Sequence, residues 1–138
     1  LQLGIPNCRT YIDVQGRTPH DPSWSHQLSR MKLFDEVISN PDRHGKNFIV
    51  GTDWDIVLID HSRAFRSTKK LDKEKLPVQF DRRPVEKLRT LEAEELKERF
   101  GEWMFGNQID GLLARRDSLL EYLDELISQK GEAQVLFP

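Results

Sequence analysis

Between Asn40 and Asn47 the chain reads Asn-Pro-Asp-Arg-His-Gly-Lys-Asn, and a further carboxylate, Asp60, follows two short apolar runs. Asp42, Asp60, Asn47, His44, His61, Arg43, Arg63 and Lys46 thus fall close together in the chain. Such density in a polar stretch points to chemistry, because loops carried on a rigid scaffold are where reactive groups sit. An aspartate within reach of a substrate hydroxyl can orient it and accept its proton. An asparagine with a second aspartate can hold a hard, oxygen-seeking cation such as Mg2+. That cation can bridge phosphate oxygens, and phosphoryl transfer depends mostly on positioning and charge neutralisation. Arg43 and Lys46 beside the loop suit developing negative charge.

The elements that position these groups follow from periodicity. Ser23 is the expected N-cap of a helix from about Trp24 to Ser39. Trp24, Leu28, Met31, Phe34 or Asp35, and Ile38 recur at three-four spacing, and Leu33 and Val37 widen the stripe, which predicts one buried face. Pro41 is expected to end that helix, since the residue before a proline is pushed out of helical geometry. Phe48-Ile49-Val50 and Ile56-Val57-Leu58-Ile59 then predict a hairpin turning through Gly51 to Asp55. A hairpin returns its second strand to the start of its first, so Asn47 and Asp60 are expected side by side. Asp53-Trp54-Asp55 superficially resembles a metal-binding pair, but its place predicts a turn.

The remainder is less pointed. Leu1-Gln2-Leu3 and Thr10 to Val14 alternate as short strands do, inside a lead-in broken by Gly4, Pro6, Gly16, Pro19 and Pro22. His20-Asp21 reads as a loop pair rather than a metal pair. Residues 66–82, with Arg66, Lys69, Lys70, Lys73 and Lys75, read as a solvated surface loop, with an anionic-ligand patch as the alternative. Helices are expected at Pro84 to Arg89, at Leu91 to Phe100 with Thr90 as cap, and from Asn107 as cap to about Lys130, ended by Gly131. The last carries Ile109, Leu112, Leu113, Leu120, Leu123 and Ile127 as its stripe, with Arg116 falling on it. A buried Arg116 needs an anionic partner, and a structural salt bridge is the expected role. Ala133 to Pro138 is apolar and suits an added edge strand.

Composition narrows the function classes. A chain of 138 residues with 37% hydrophobic and 32% charged residues suits a single helix-rich domain with a real core. A net charge of −2 gives no basic field, so no nucleic-acid partner is expected. Cys8 is the sole cysteine, which rules out an internal disulfide and a cysteine-built zinc cluster, and makes a cytoplasmic location the default expectation. No signal peptide and no apolar run long enough to cross a membrane is present in this sequence. A start at Leu1, without Met, reads as a piece of something longer.

The loop and hairpin resemble those of the phosphatidylinositol 3-/4-kinases and their atypical relatives, whose D-R-H-x-x-N loop precedes a hairpin and an I-D segment. Here those are Asp42-Arg43-His44-Gly45-Lys46-Asn47 and Ile59-Asp60-His61-Ser62-Arg63-Ala64-Phe65. The HipA-type kinases are the other relatives the pattern suggests. The resemblance is specific over about residues 30–66. It implies a mainly α domain with a small β-hairpin (α+β), like the C-terminal lobe of a kinase: an irregular lead-in over 1–24, a catalytic helix, loop and metal-binding hairpin over 24–66, and a helical subdomain over 83–131. It implies Asp42 as the catalytic aspartate with His44 beside it, Asn47 and Asp60 as ligands of Mg2+, and ATP as phosphate donor to an unidentified hydroxyl acceptor. Arg43, His44 and Lys46 would place phosphate or brace the loop, with Lys46 and Asn47 on the nucleotide side.

Two departures accompany it. His61-Ser62 stands where Phe-Gly stands in most kinases. No Gly-rich loop and no strand lysine paired with a helical glutamate occurs in this sequence, so the nucleotide-gripping N-lobe is absent from it, and a partner chain or further segment is implied. Two other classes follow from the same residues. A non-catalytic interaction module would keep the lobe without its turnover. A metal-dependent nuclease or hydrolase would use His44 and His61 with Asp42 and Asp60 around a transition metal.

Overall fold

The computed structural model describes residues 9–59, 61 and 63–138. Its elements are β1 (Arg9–Thr10), α1 (Tyr11–Val14), α2 (Pro22–Val37), β2 (Phe48–Val50), β3 (Ile56–Leu58), β4 (Phe80–Asp81), α3 (Arg82–Thr90), α4 (Ala93–Phe100), α5 (Gly106–Lys130), α6 (Glu132–Val135) and β5 (Leu136–Phe137). The chain is therefore α+β, dominated by helix. No helix among the described residues is long and apolar enough to cross a membrane.

Helix α2 is the shared wall of two cores. At about 100° per residue, Trp24 and Met31 lie on one side of it and Leu33 and Val37 on the opposite side. Trp24 and Met31 pack with Val14, Phe48 and Val50 against the sheet. Leu33 and Val37 join Phe80, Val85, Leu112, Leu119 and Leu123 in the helical core. The helix thus buries two faces where its spacing predicted one.

The ends of α2 also differ from expectation. Asp21, not Ser23, caps it: its Oδ1 accepts from Trp24 N at 3.1 Å, and Pro22 occupies the first turn, where its missing N–H costs nothing. At the other end Ser39 takes a left-handed backbone (φ 52°). The Asn40 N–H donates to Asp35 O and the Ser39 N–H to Glu36 O, the crossed pair of a Schellman motif. The helix stops through this turn, two residues before Pro41 can act.

The expected hairpin is present: β2 and β3 pair antiparallel with Phe48 opposite Leu58 and Val50 opposite Ile56. The Gly51–Asp55 connection is a turn with Trp54 at φ 66°, and the Asp53 carboxylate accepts from Asp55 N there. Strand β1 adds to β2 as a third strand. Thr10 to Val14 is not the strand that its alternation suggested. Asp13 Oδ2 accepts from both the Thr10 hydroxyl and the Thr10 N–H, and this local closure winds the next residues into one helical turn. The strand expected at Leu1-Gln2-Leu3 lies outside the described residues.

Residues 66–82 are more than a solvated loop. Leu71 and Leu76 are buried in the helical core, and Phe80–Asp81 forms a strand parallel to Leu136–Phe137, so the apolar C-terminal run adds a strand only over those two residues, while Ala133 to Val135 are helical. Thr90 ends α3 rather than capping α4, which begins after Glu92. Phe105, not Asn107, holds the N-cap position of α5, and Gln108 Oε1 reaches back to accept from its N–H at 2.7 Å. Gly131, at φ 87°, ends that helix as expected. The buried arginine of α5 is Arg115, one residue before the one its stripe indicated.

Candidate active site

The loop between α2 and β2 is built by its own side chains. Asn40 Oδ1 accepts from Asp42 N at 3.2 Å, setting the first bend. Asn47 Oδ1 accepts from His44 N at 2.8 Å, and its Nδ2 donates to Asp42 O. Asn47 is buried, so one amide closes the segment from Asp42 to His44 into a tight arch. Ile12 N donates to Gly45 O at 2.8 Å, docking the arch onto α1.

Arg43 ties this arch to everything around it. Its Nε and Nη2 donate to the two carboxylate oxygens of Asp35, both at 2.9 Å. Its Nη1 donates to Asn47 O at 2.8 Å and to Ile59 O at 2.7 Å. Both side chains of the pair are almost fully buried. A planar guanidinium can serve a carboxylate and two carbonyls at once, which an ammonium cannot. Helix α2, the loop and the end of β3 are therefore fixed by a single residue, and of the two roles open to Arg43 the geometry supports bracing.

Asp42 sits on the open side of the arch, partly exposed. His44 Nε2 lies 4.0 Å from its Oδ1 and Arg63 Nε 3.9 Å from its Oδ2. The Lys46 N–H donates to His44 Nδ1 at 3.2 Å, which leaves the imidazole proton on Nε2 facing Asp42 when the ring is neutral. The Lys46 side chain is exposed at the rim. Ile59 N donates to Asn47 O at 3.3 Å, so the end of the hairpin does return to the loop. Asp60, the next residue and the expected second metal ligand, lies outside the described residues.

Two contributors were given no role in the site from the sequence. Arg63 follows the I-D segment by three residues and is brought to Asp42 by the turn that ends with Phe65 N donating to Ile38 O. Asp35 looked like a position on the α2 stripe, and only the arginine eight residues later gives it a role. The His61 ring meets Phe34 edge-on, with 5.7 Å between ring centroids. Among the described residues no three His, Cys, Asp or Glu side chains gather as a metal site. The donors present, a carboxylate and a carboxamide, are of the hard-oxygen type that Mg2+ takes, and Asn47 Oδ1 keeps a lone pair beyond its bond from His44.

Beside the loop a polar cavity of about 590 Å³ opens between Asn40-Pro41 and residues 66–75. Arg66, Lys70, Lys73 and Lys75 line it together with Glu36, Asp72 and Glu74. Burial raises the Glu36 carboxyl above its ordinary range, against the Asp72 N–H that it accepts. Behind this wall Arg115 donates to Val37 O at 3.0 Å, to Arg66 O at 2.9 Å and to Thr68 O. Its burial, and then Arg66, lower its pKa. Arg116 is partly rather than fully buried, and it makes the expected structural salt bridge, to Asp117 at 2.6 Å, while donating to the Leu88 and Leu91 carbonyls.

The chain matches no protein-family model, and its comparison with curated proteins returns no match either.

Proposed function

We propose that this chain is the catalytic lobe of a Mg2+-dependent phosphotransferase that moves the ATP γ-phosphate to a hydroxyl acceptor, as its resemblance to the atypical kinases implies. The observation that carries the reading is the Arg43 brace. It joins the Asp42–Asn47 loop to the end of β3, so that loop and hairpin end act as one preorganised unit. In this reading the acceptor hydroxyl gives its proton to the Asp42 carboxylate as its oxygen bonds to the γ-phosphorus, and the bond from that phosphorus to the bridging oxygen breaks to release ADP. His44 and Arg63, on either side of Asp42, keep the carboxylate oriented. Lys46, exposed at the rim, reaches phosphate oxygens. Asn47 and Asp60 would hold Mg2+, which when bound neutralises phosphate charge.

The test is Mg2+-dependent phosphotransfer or ATP hydrolysis by the full-length protein, with Asp42→Asn and Asp60→Ala beside it. Loss of about 10³-fold or more in both variants is expected, in line with removing a positioned base or a metal ligand. Unchanged turnover in Asp60→Ala would sink the metal assignment.

One observation favours a second reading, a non-catalytic interaction module. Both polar atoms of Asn47 already serve the arch, so this residue has a structural task without any metal. That reading expects no heat of Mg-ATP binding by calorimetry in the full-length protein, whereas the kinase reading expects saturable binding that Asp60→Ala weakens.

A further inference from the structure

An apolar trough of about 580 Å³ runs along the seam between α2 and α3, away from the loop chemistry. From α2 it receives Arg30, Leu33, Phe34 and Val37; from α3 and the residue after it, Pro84, Lys87, Leu88 and Leu91. Both sets are spaced i, i+3, i+4, i+7, so each helix presents a complete two-turn stripe of about 10 Å to the same space. Two such stripes lining one trough can seat a third helix. Phe34 is 41% exposed on this seam, a large apolar side chain met only along one edge by the His61 ring among the described residues. Helices α2 and α3 both pack on α5, which holds the two walls of the trough in place.

The rim says what kind of helix it is. Arg30, Arg83 and Lys87 stand around the apolar floor, and the sole carboxylate lining it among the described residues is Asp81. Asp81 is buried beneath two of those cations, 2.7 Å from Arg30 and 2.9 Å from Arg83, so it offers no negative surface to a ligand. Lys87 is exposed, and its ammonium makes no hydrogen bond or salt bridge among the described residues.

We infer that the α2–α3 trough is a docking site for an acidic amphipathic helix of a partner protein. Its apolar face would cover Phe34, Leu88 and Leu91, and its flanking carboxylates would meet Arg30, Arg83 and Lys87. The inference does not rest on the phosphotransferase reading.

The experiment uses the full chain and two synthetic fluorescein-labelled helical peptides of about 16 residues, with leucines at i, i+3, i+4, i+7 and flanks of either glutamate or lysine. Anisotropy titrations at low salt are expected to show micromolar binding of the glutamate peptide and binding at least about tenfold weaker for the lysine peptide. Phe34→Ala is expected to weaken the glutamate peptide by about tenfold, in line with losing an aromatic anchor. Lys87→Glu, which removes no recorded bond, is expected to narrow or invert the preference between the two peptides; thermal melts check that both variants are folded. No binding of either peptide, equal binding of both, or binding untouched in a folded Phe34→Ala overturns the inference. Binding of dodecanoate at the trough with no binding of the glutamate peptide also overturns it, in favour of a small anionic amphiphile.

Discussion

At the scale of single residues, the candidate site depends most on a side chain that does not face its open edge. Arg43 and Asp35 form a bidentate pair with both side chains about 8% exposed, and the same guanidinium satisfies Asn47 O and Ile59 O. Removing one partner of such a pair strands a buried charge, which costs about 3–5 kcal/mol. Arg43→Ala and Asp35→Ala are each expected to lose stability on that scale, measured by urea denaturation. The double variant is expected to lose clearly less than the sum, because neither charge is then left alone. Additive losses would show that the two do not act as a pair. The brace was hidden in the sequence for a physical reason. The Asp42 to Asn47 spacing is readable as chemistry because its residue types are unusual together, but an aspartate on an apolar helix stripe has no marked partner until the loop folds back eight residues later.

At the scale of elements, the junction of β4 and α3 makes a pH-dependent contribution whose sign can be worked out. Asp81 is 1% exposed, caps α3 by accepting from Arg83 N, and is held by two guanidiniums. The Arg83 hydrogen bond, with Arg30 behind it, draws its carboxyl well below the usual carboxylate range, against the opposing effect of burial. Its folded pKa is therefore below its unfolded value of about 3.9. Its contribution is fully present above about pH 4 and is lost as the pH falls below that, because the unfolded chain binds the proton more readily. Asp81→Asn keeps a capping oxygen but loses the ion pairs. It is expected to be less stable at pH 7 and to show a shallower loss of stability below about pH 4, read from thermal melts across pH. An unchanged acid slope would remove Asp81 from that role. The same scale shows which elements were legible. The hairpin and helices α2 to α5 came through on their apolar spacing, whereas the single turns α1 and α6 were expected as strand. The pairing of β4 with β5 did not, since two residues on each side, more than fifty apart, carry no periodicity. Helix ends shifted where two capping residues competed: Asp21 prevails over Ser23 because Pro22 fits the first turn, and Gln108 lets Phe105 replace Asn107.

At the scale of the whole molecule, α5 is the rod that sets the distance between the helical core and the candidate site. Gly111 is where it comes closest: a methyl there would meet Ser67 O at 2.6 Å. One turn later Arg115, 1% exposed, reaches across to the last carbonyl of α2 and to two carbonyls of the segment that follows the hairpin. The stripe on α5 placed the buried arginine at 116 because a helix this long lets its buried face drift, and because a buried arginine suggests a carboxylate partner. Carbonyls satisfy it here instead, and Nη2 has no partner at all among the described residues. Two effects then oppose each other in Arg115→Met. Removing a buried, incompletely bonded charge is favourable, but three carbonyls lose a donor, at about 1–3 kcal/mol for each one left buried and unsatisfied. Val37 O is the buried one of the three, so the variant is expected to be destabilised by about 1–3 kcal/mol in urea denaturation. Because the bonds span α2 and residues 66–68, hydrogen exchange is expected to accelerate at the end of α2 and at Phe65, whose N–H is held by Ile38 O, before it does at α4, which makes no hydrogen bond to Arg115 among the described residues. Uniform acceleration across all helices would mean that Arg115 merely adds global stability; acceleration confined to the end of α2 and Phe65 would identify it as the link that transmits the position of α5 to the loop carrying Asp42.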